Sequence, residues 1–416
     1  MKVLTLLVLT TFICFWVSGQ KVEKDKIIYE YNQLPLKPLD KRIKNYQGDV
    51  VLEYVKAIDA DKQKNEDDYQ KALAAYPAQI AEWEKAKKEV EDKYNKDLEE
   101  YNNKSTATKI IEKQVLEQNT KPVLILPPKP YAPVKKENTY QKIFDKDVLN
   151  STYIKLDGYI KGNENPVKIT FTLYGFENSE PELKTSTASV YSTTSKTTTQ
   201  VNTYWYEMKY KHPVGIKVED PYNGAIFNEM AAKTNDYVTY ISAKKENSYP
   251  DFNKQSVISQ LQNNVVESNL KFATETLNSM FGYSKIKDTL ILYRVEAKKF
   301  NYDDLTLAYQ DASLAYSLLS NDFNSAKVKL ENAVSIWTKI MQEFNPEDKK
   351  GRIDNDIAIA TSFNMAMAYI YLNDFMKSEE ALNKMSSLKP SKSEQKLMDE
   401  IRAFCRSQKL RFEANK

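Results

Sequence analysis

The sequence predicts an α+β chain: an antiparallel β-sandwich-like region with a long helical insertion, followed by a C-terminal array of paired helices. Three observations predict it. Residues 56–119 lack glycine, are dominated by Lys, Glu, Asp, Ala and Gln, and space Tyr69, Tyr76 and Trp83 seven apart. Between 151 and 245, short runs alternate β-branched or aromatic residues with polar ones and are broken by turn residues. From Tyr302 onward, apolar residues recur at helical spacing around two Asn-Asp-Phe turns.

The first 19 residues read as a signal peptide. Lys2 precedes an apolar run from Val3 to Val17, and Val17-Ser18-Gly19 offers small residues before a cut ahead of Gln20. The run is shorter than the ~20 residues a membrane span needs. Ile13 before Cys14 does not suit a lipidation site, so cleavage is expected to leave one thiol, Cys405. Such an exported chain has no internal disulfide and relies on its core.

Residues 20–55 hold two strand candidates, Ile27–Tyr31 and Val50–Val55, expected to join the later sheet. The spacing at Tyr69, Tyr76, Trp83 and Val90 predicts a long helix with one aromatic stripe, which Pro77 should kink or divide. About 60 helical residues would reach ~90 Å, so the helix should project or fold back. Five prolines in 121–134 predict an extended polyproline-type return, completing a 56–134 insertion. An internal hairpin, a stiff linker and self-association as a coiled coil all fit this pattern.

The β domain is expected over 135–250, from strands at Tyr153–Ile160, Val167–Tyr174, Thr203–Tyr210, Val214–Val218, Ala225–Phe227 and Tyr237–Ile241. Ser and Thr dominate 185–203, as either a polar edge hairpin or a modified stretch. A connector over 251–300 contributes a helix from Gln255 to Phe281 and a strand from Thr289 to Val295. The helical domain is 301–416.

Residues 359–392 resemble a tetratricopeptide repeat, a helix–turn–helix unit of about 34 residues. Asn364-Met365-Ala366 and Tyr369 match the first helix, Asn373-Asp374-Phe375 the turn, Ser378 the small packing position and Pro390 the closing proline. The usual Trp is Ser362, a departure. A weaker copy runs through Leu314-Ala315-Tyr316 and Asn321-Asp322-Phe323. The resemblance implies a core at Met365, Tyr369, Leu382 and Met385, with a capping helix over 394–412. It also implies groove-facing positions at Phe363, Met367, Ile370 and Tyr371, which either receive a partner or are packed by the chain's own cap. If they face a partner, Tyr371→Glu should weaken capture and leave the fold intact.

Composition narrows the chemistry. With 60 Lys+Arg against 57 Asp+Glu the net charge is +3, too balanced to call for nucleic acid. One histidine, His212, and one mature cysteine do not make the common zinc sites. No P-loop, dinucleotide fingerprint or nucleophile elbow occurs. We therefore expect no catalytic residue, no metal and no cofactor. The expected function is a non-catalytic scaffold of the bacterial envelope, in the periplasm, at the outer-membrane surface or outside the cell, binding a protein or peptide partner. Its alternative is a glycan-binding surface protein using Tyr204, Trp205 and Tyr206 on a Tyr-rich sheet.

Overall fold

The computed structural model describes residues 21–114, 121–194, 196–296, 300–348 and 351–416. The apolar run 3–17 and the cut ahead of Gln20 lie outside these residues. In chain order the elements are β1 (Lys21–Gln33), β2 (Asn45–Leu52), α1 (Tyr54–Asn103), α2 (Thr106–Gln114), α3 (Lys146–Tyr153), β3 (Ile160–Lys161) and β4 (Val167–Leu173). Then follow β5 (Glu177–Asn178), β6 (Glu182–Ser192), β7 (Thr197–Lys211), β8 (Val214–Asp220), β9 (Gly224–Met230), β10 (Val238–Ile241) and β11 (Lys245–Glu246). The last are α4 (Lys254–Phe281), β12 (Ser284–Glu296), α5 (Asp303–Leu318), α6 (Phe323–Ile340), α7 (Asn355–Tyr371), α8 (Phe375–Ser387) and α9 (Lys392–Ala414). The fold is α+β, with open sheets and the helices α5–α9 in succession at the C-terminal end.

One five-stranded sheet has the order β3-β2-β4-β8-β9. Val167, Ile169, Phe171 and Leu173 alternate on the buried face of β4 and meet Val266, Leu270, Ala273 and Leu277 of α4. The expected antiparallel pattern fails at β2, which runs parallel to both β3 and β4. The insertion is the reason. A parallel pair needs a crossover, and the chain makes one by leaving β2 into α1, returning beside its base, and running back along β2 as α3. Gly48 lets α3 lie flush on β2, because a Cβ there would stand 2.3 Å from Asn150 Oδ1. The strand read at Tyr153–Ile160 is instead the end of α3 and an extended link that buries Ile154 and Leu156, with only Ile160–Lys161 paired.

A second five-stranded sheet is built around β7, with β6 and β5 on one side and β10 and β11 on the other. The Ser/Thr-rich stretch forms the outer part of the β6–β7 hairpin, in register from Ser186↔Thr203 to Ser192↔Thr197. Its alternating aromatics are engaged: Tyr204 meets Tyr249 at 4.9 Å and Tyr206 meets Phe252 at 4.7 Å. Trp205, on the other face, donates to Glu207 and carries Lys244 over its ring.

The insertion is an arm. α1 is one 50-residue helix, about 75 Å long. It runs through Pro77, which stands on the solvent side with Leu73, where water can take the carbonyl left without an N–H. The extended segment 121–145 returns along it. Trp83 Nε1 donates to Pro127 O at 2.9 Å, Lys135 pairs with Glu66, and Asn138 and Tyr140 donate to Asp61. Pro122, Pro127, Pro130 and Pro133 are the half-buried prolines of this return, the last three spaced one per polyproline turn. Tyr69, Tyr76, Trp83, Val90, Tyr94 and Tyr101 form the helical stripe they lie against. Trp83→Phe should cost the arm about 1 kcal/mol, seen as faster amide exchange in α1 around position 83 with the sheets unchanged.

β1 does not join the sheet of β2. It pairs antiparallel with β12 over its full length, from Lys21↔Glu296 to Gln33↔Ser284, as a separate two-stranded ribbon. That ribbon packs against α5 and α7. The helices stack as α5/α6 and α7/α8, capped by α9. Asn373 sits in the turn between α7 and α8 with φ +58°, a left-handed conformation that Asn tolerates better than most residues. Ser378 Oγ donates to Ala366 O where the two helices touch. Leu382, Met385 and Tyr369 are buried and Met365 is partly buried, all within this core. Arg411 of α9 ties the helical part to the sheet part by donating to Leu34 O and Ser279 O at 2.8 and 2.7 Å.

Candidate functional site

The inner face of the helical array holds the residues that the sequence singles out. α5 presents Ala308, Ala312 and Ala315, and α7 presents Phe363, Met367, Ile370 and Tyr371. Small residues on α5 let a flat object approach, and that object is the chain's own β1–β12 ribbon. All four singled-out residues are buried, 9 % exposed or less. The reading of them as an open groove is therefore corrected. The helical cap does not fill the groove alone; the ribbon does most of it.

Three features hold the ribbon there. Asn364 of α7 meets the free edge of β12, accepting from Tyr293 N at 2.9 Å and donating to Tyr293 O at 2.8 Å. The Tyr293 ring stacks on Phe363, 5.3 Å between centroids and 9° between planes. Tyr29 and Tyr31 of β1 then meet Tyr316, Tyr371 and Phe404, with ring centroids 5.6 to 6.0 Å apart. Edge-to-face pairs of this kind add stability beyond their buried area.

The tyrosines of this cluster are buried. Tyr371 Oη donates to Tyr29 Oη at 2.7 Å. Tyr316 Oη and Tyr293 Oη have no partner among the described residues. Burial pushes Tyr31 and Tyr293 up to about 12 and drives Tyr29, Tyr316 and Tyr371 higher still. None of these phenols ionises near neutral pH, so the cluster packs and offers no base. At the far end of the ribbon, Arg294 gathers Glu23, Asp25 and Glu296, and Tyr309 Oη donates to Asp25.

Two clefts remain beside the ribbon. One, about 420 Å³, is lined by Tyr29, Leu290, Phe363, Met367, Ile401 and Phe404, with Lys26, Asp288 and Glu400 at its rim. The other, about 270 Å³, is lined by Tyr31, Leu319, Phe323, Ile370, Tyr371 and Phe412 among others. The singled-out residues thus split, with Phe363 and Met367 on one side and Ile370 and Tyr371 on the other. The larger cleft has an apolar floor and a charged rim. It is suited to an apolar side chain.

In a further cleft the acidic groups are engaged. An open cleft of about 560 Å³ contains Asp40 and Asp220. Asp40 is held by Arg42, which keeps its carboxyl down to about 2, and Asp220 accepts from the amides of its own turn at Tyr222 and Asn223. Asp356 is raised by desolvation and then by Asp354 and Glu394. Those two neighbours cap α7 and α9. Among the described residues no group of three or more His, Cys, Asp or Glu is placed to hold a metal, and no helix is long and apolar enough to cross a membrane. His212 and Cys405 are both buried, His212 in the link between β7 and β8 and Cys405 on α9 within the core of the helical array.

The ribbon and its clefts escape sequence reasoning because the resemblance marks which side chains line the inner face, not what lies against them. The alternation that buries Tyr29 and Tyr31 was the available signal. Comparison with protein-family models, with curated proteins and with solved structures gives no match for this chain.

Proposed function

We propose that this chain is a non-catalytic, exported scaffold of the bacterial cell envelope, and that its tetratricopeptide-like helices α5–α9 hold a protein or peptide partner beside the ribbon. One observation carries the reading: the 420 Å³ apolar cleft between the ribbon and α9. Leu397, Ile401 and Phe404 recur at helical spacing along the α9 wall, and Lys26, Asp288 and Glu400 give the rim both signs of charge. A partner helix or extended segment would insert an apolar side chain there and pair its own charges at the rim.

Leu397 is half-buried at the mouth, so Leu397→Arg should block entry without emptying the core. Capture from native envelope, read by mass spectrometry, should lose its main partner about tenfold while the melting temperature stays close to that of the parent chain. Undiminished capture of the same partner by Leu397→Arg would remove the cleft from consideration. The expectation for Tyr371→Glu changes with the structure: a carboxylate among buried rings should now unfold the site rather than selectively weaken capture.

A further inference from the structure

The larger cleft meets the ribbon at an edge. Asp288, Thr289, Leu290 and Ile291 are consecutive, and all four line it. Side chains on a strand alternate between its faces, so four residues in a row share one cleft only along the margin of the strand. β1 occupies one margin of β12, with Ile28 opposite Thr289 and Lys26 opposite Ile291. The cleft therefore opens on the other margin, where no strand pairs with β12 among the described residues.

Register tells which backbone groups stand there. In an antiparallel pair, residues that exchange bonds with the partner strand alternate with residues whose N–H and C=O point away from it. Tyr293 is of the second kind, because both of its groups go to Asn364. The pairing with β1 runs without a shift from Lys21↔Glu296 to Gln33↔Ser284, so Ile291 and Thr289 are of the second kind too. The Thr289 N–H donates to the neighbouring Asp288 carboxylate at 2.7 Å. The Thr289 C=O and both groups of Ile291 have no partner among the described residues.

Asn364 shows what this edge accepts. Its carboxamide is a peptide group without a chain, and it bonds Tyr293 as a residue of a third strand would. Ile291 lies one strand repeat further on, about 7 Å away, and lacks such an amide. A helix cannot supply one, because its N–H and C=O groups are spent on its own turns. An extended segment can.

We propose, on the reading of this cleft as the partner site, that the partner binds as an extended segment and adds a third strand to β12 at Thr289–Ile291, in line with Asn364. Residues opposite each other in a sheet share a face. The partner residue opposite Leu290 therefore falls on the side of Leu290 and Tyr29, towards Phe363 and Met367. All four are buried, so that residue is apolar, and its neighbours point away from the floor. Strand addition draws affinity from main-chain bonds and specificity from every second side chain. The partner class is thus an alternating extended segment with a large apolar residue at its centre, and not an amphipathic helix.

The probe is a labelled synthetic peptide, acetyl-Ser-Thr-Val-Leu-Val-Thr-Ser-amide, titrated into the full chain. It should bind with a Kd below ~1 mM and slow hydrogen exchange at the Ile291 amide. Two further versions carry N-methyl groups on alternate backbone nitrogens, one on the even set and one on the odd. A strand pairs through one set only, so one version should bind about tenfold more weakly than the other. Ile291→Pro removes the outward N–H and no ladder bond to β1, and should weaken peptide binding about tenfold. Ile291→Val should bind as the parent chain does. No binding at ~1 mM, equal affinity of the two methylated versions, or tighter binding of a helical Ala/Leu/Lys peptide would overturn strand addition. Leu397→Arg separates the two readings. If it loses its envelope partner while the methylated versions bind alike, the cleft stands and the added strand falls. If the versions differ while Leu397→Arg captures as before, the added strand stands without the cleft wall.

Discussion

Asn364→Leu should lower the stability of the chain by about 2–6 kcal/mol and release β1 and β12 from the helices. The buried carboxamide serves two backbone groups at once, the N–H and the carbonyl of Tyr293. Leucine has similar volume but satisfies neither. Each buried backbone group left without a partner costs roughly 1–3 kcal/mol, and no rotamer of leucine relieves either. The Tyr293–Phe363 stack would remain, so the helices should stay folded while the ribbon loosens. Urea unfolding gives the size of the loss. Limited proteolysis gives its place, with cuts appearing first in 21–33 and 284–296. A loss below about 1 kcal/mol would mean that water replaces the carboxamide and that the aromatic cluster alone holds the ribbon.

The second large effect is acid sensitivity from His212. This imidazole sits at the joint between β7 and β8, buried, edge-on to Tyr54 at 6.3 Å, and its Nδ1 has no partner among the described residues. Desolvation pushes it down to about 4 from an ordinary 6.5. The folded chain therefore keeps the ring neutral where the unfolded chain would protonate it. Stability from this group is complete above pH ~6.5 and drains as pH falls through 6.5 towards 4, after which both states are protonated. The difference amounts to about 3 kcal/mol across that window. His212→Phe should flatten the fall in melting temperature between pH 7 and pH 4.5 relative to the parent chain. Equal pH slopes for the two proteins would show that the ring is protonated in the fold. Among the described residues no carboxylate pairs with His212, so none of them compensates the charge when it forms.

Much of the architecture is legible from spacing. Aromatics seven apart at 69, 76 and 83 share a helical face and the prolines of 121–134 an extended segment, a pattern that fits a hairpin, a linker or a coiled coil alike; the Trp83–Pro127 and Glu66–Lys135 contacts select the hairpin. The turn at Asn373 was legible because Asn and Gly share a tolerance for left-handed backbone. What spacing cannot supply is the address of a strand. Alternation at Ile27, Tyr29 and Tyr31 says which side of β1 is buried but not that its mate lies at 286–290. Ile154 and Leu156 alternate as a strand would, yet α3 delivers them to the core as an unpaired link. The four residues singled out on α7 are buried rather than presented in an open groove. Their neighbour, a ribbon drawn from both ends of the β region, lies beyond any local pattern.

That ribbon also sets an order of assembly. β1 is among the first described segments to emerge from a ribosome or a secretion channel, yet the strand that completes it follows about 250 residues later, and loop closure over such a length is slow to nucleate. Until then Tyr29 and Tyr31 have no helices to shelter them. During vectorial delivery the segment 21–33 is a sticky, solvent-borne strand awaiting its mate, so the interval before β12 arrives is when this chain most needs a holdase. Relocating β1 to follow β12 directly should shorten that interval and speed refolding.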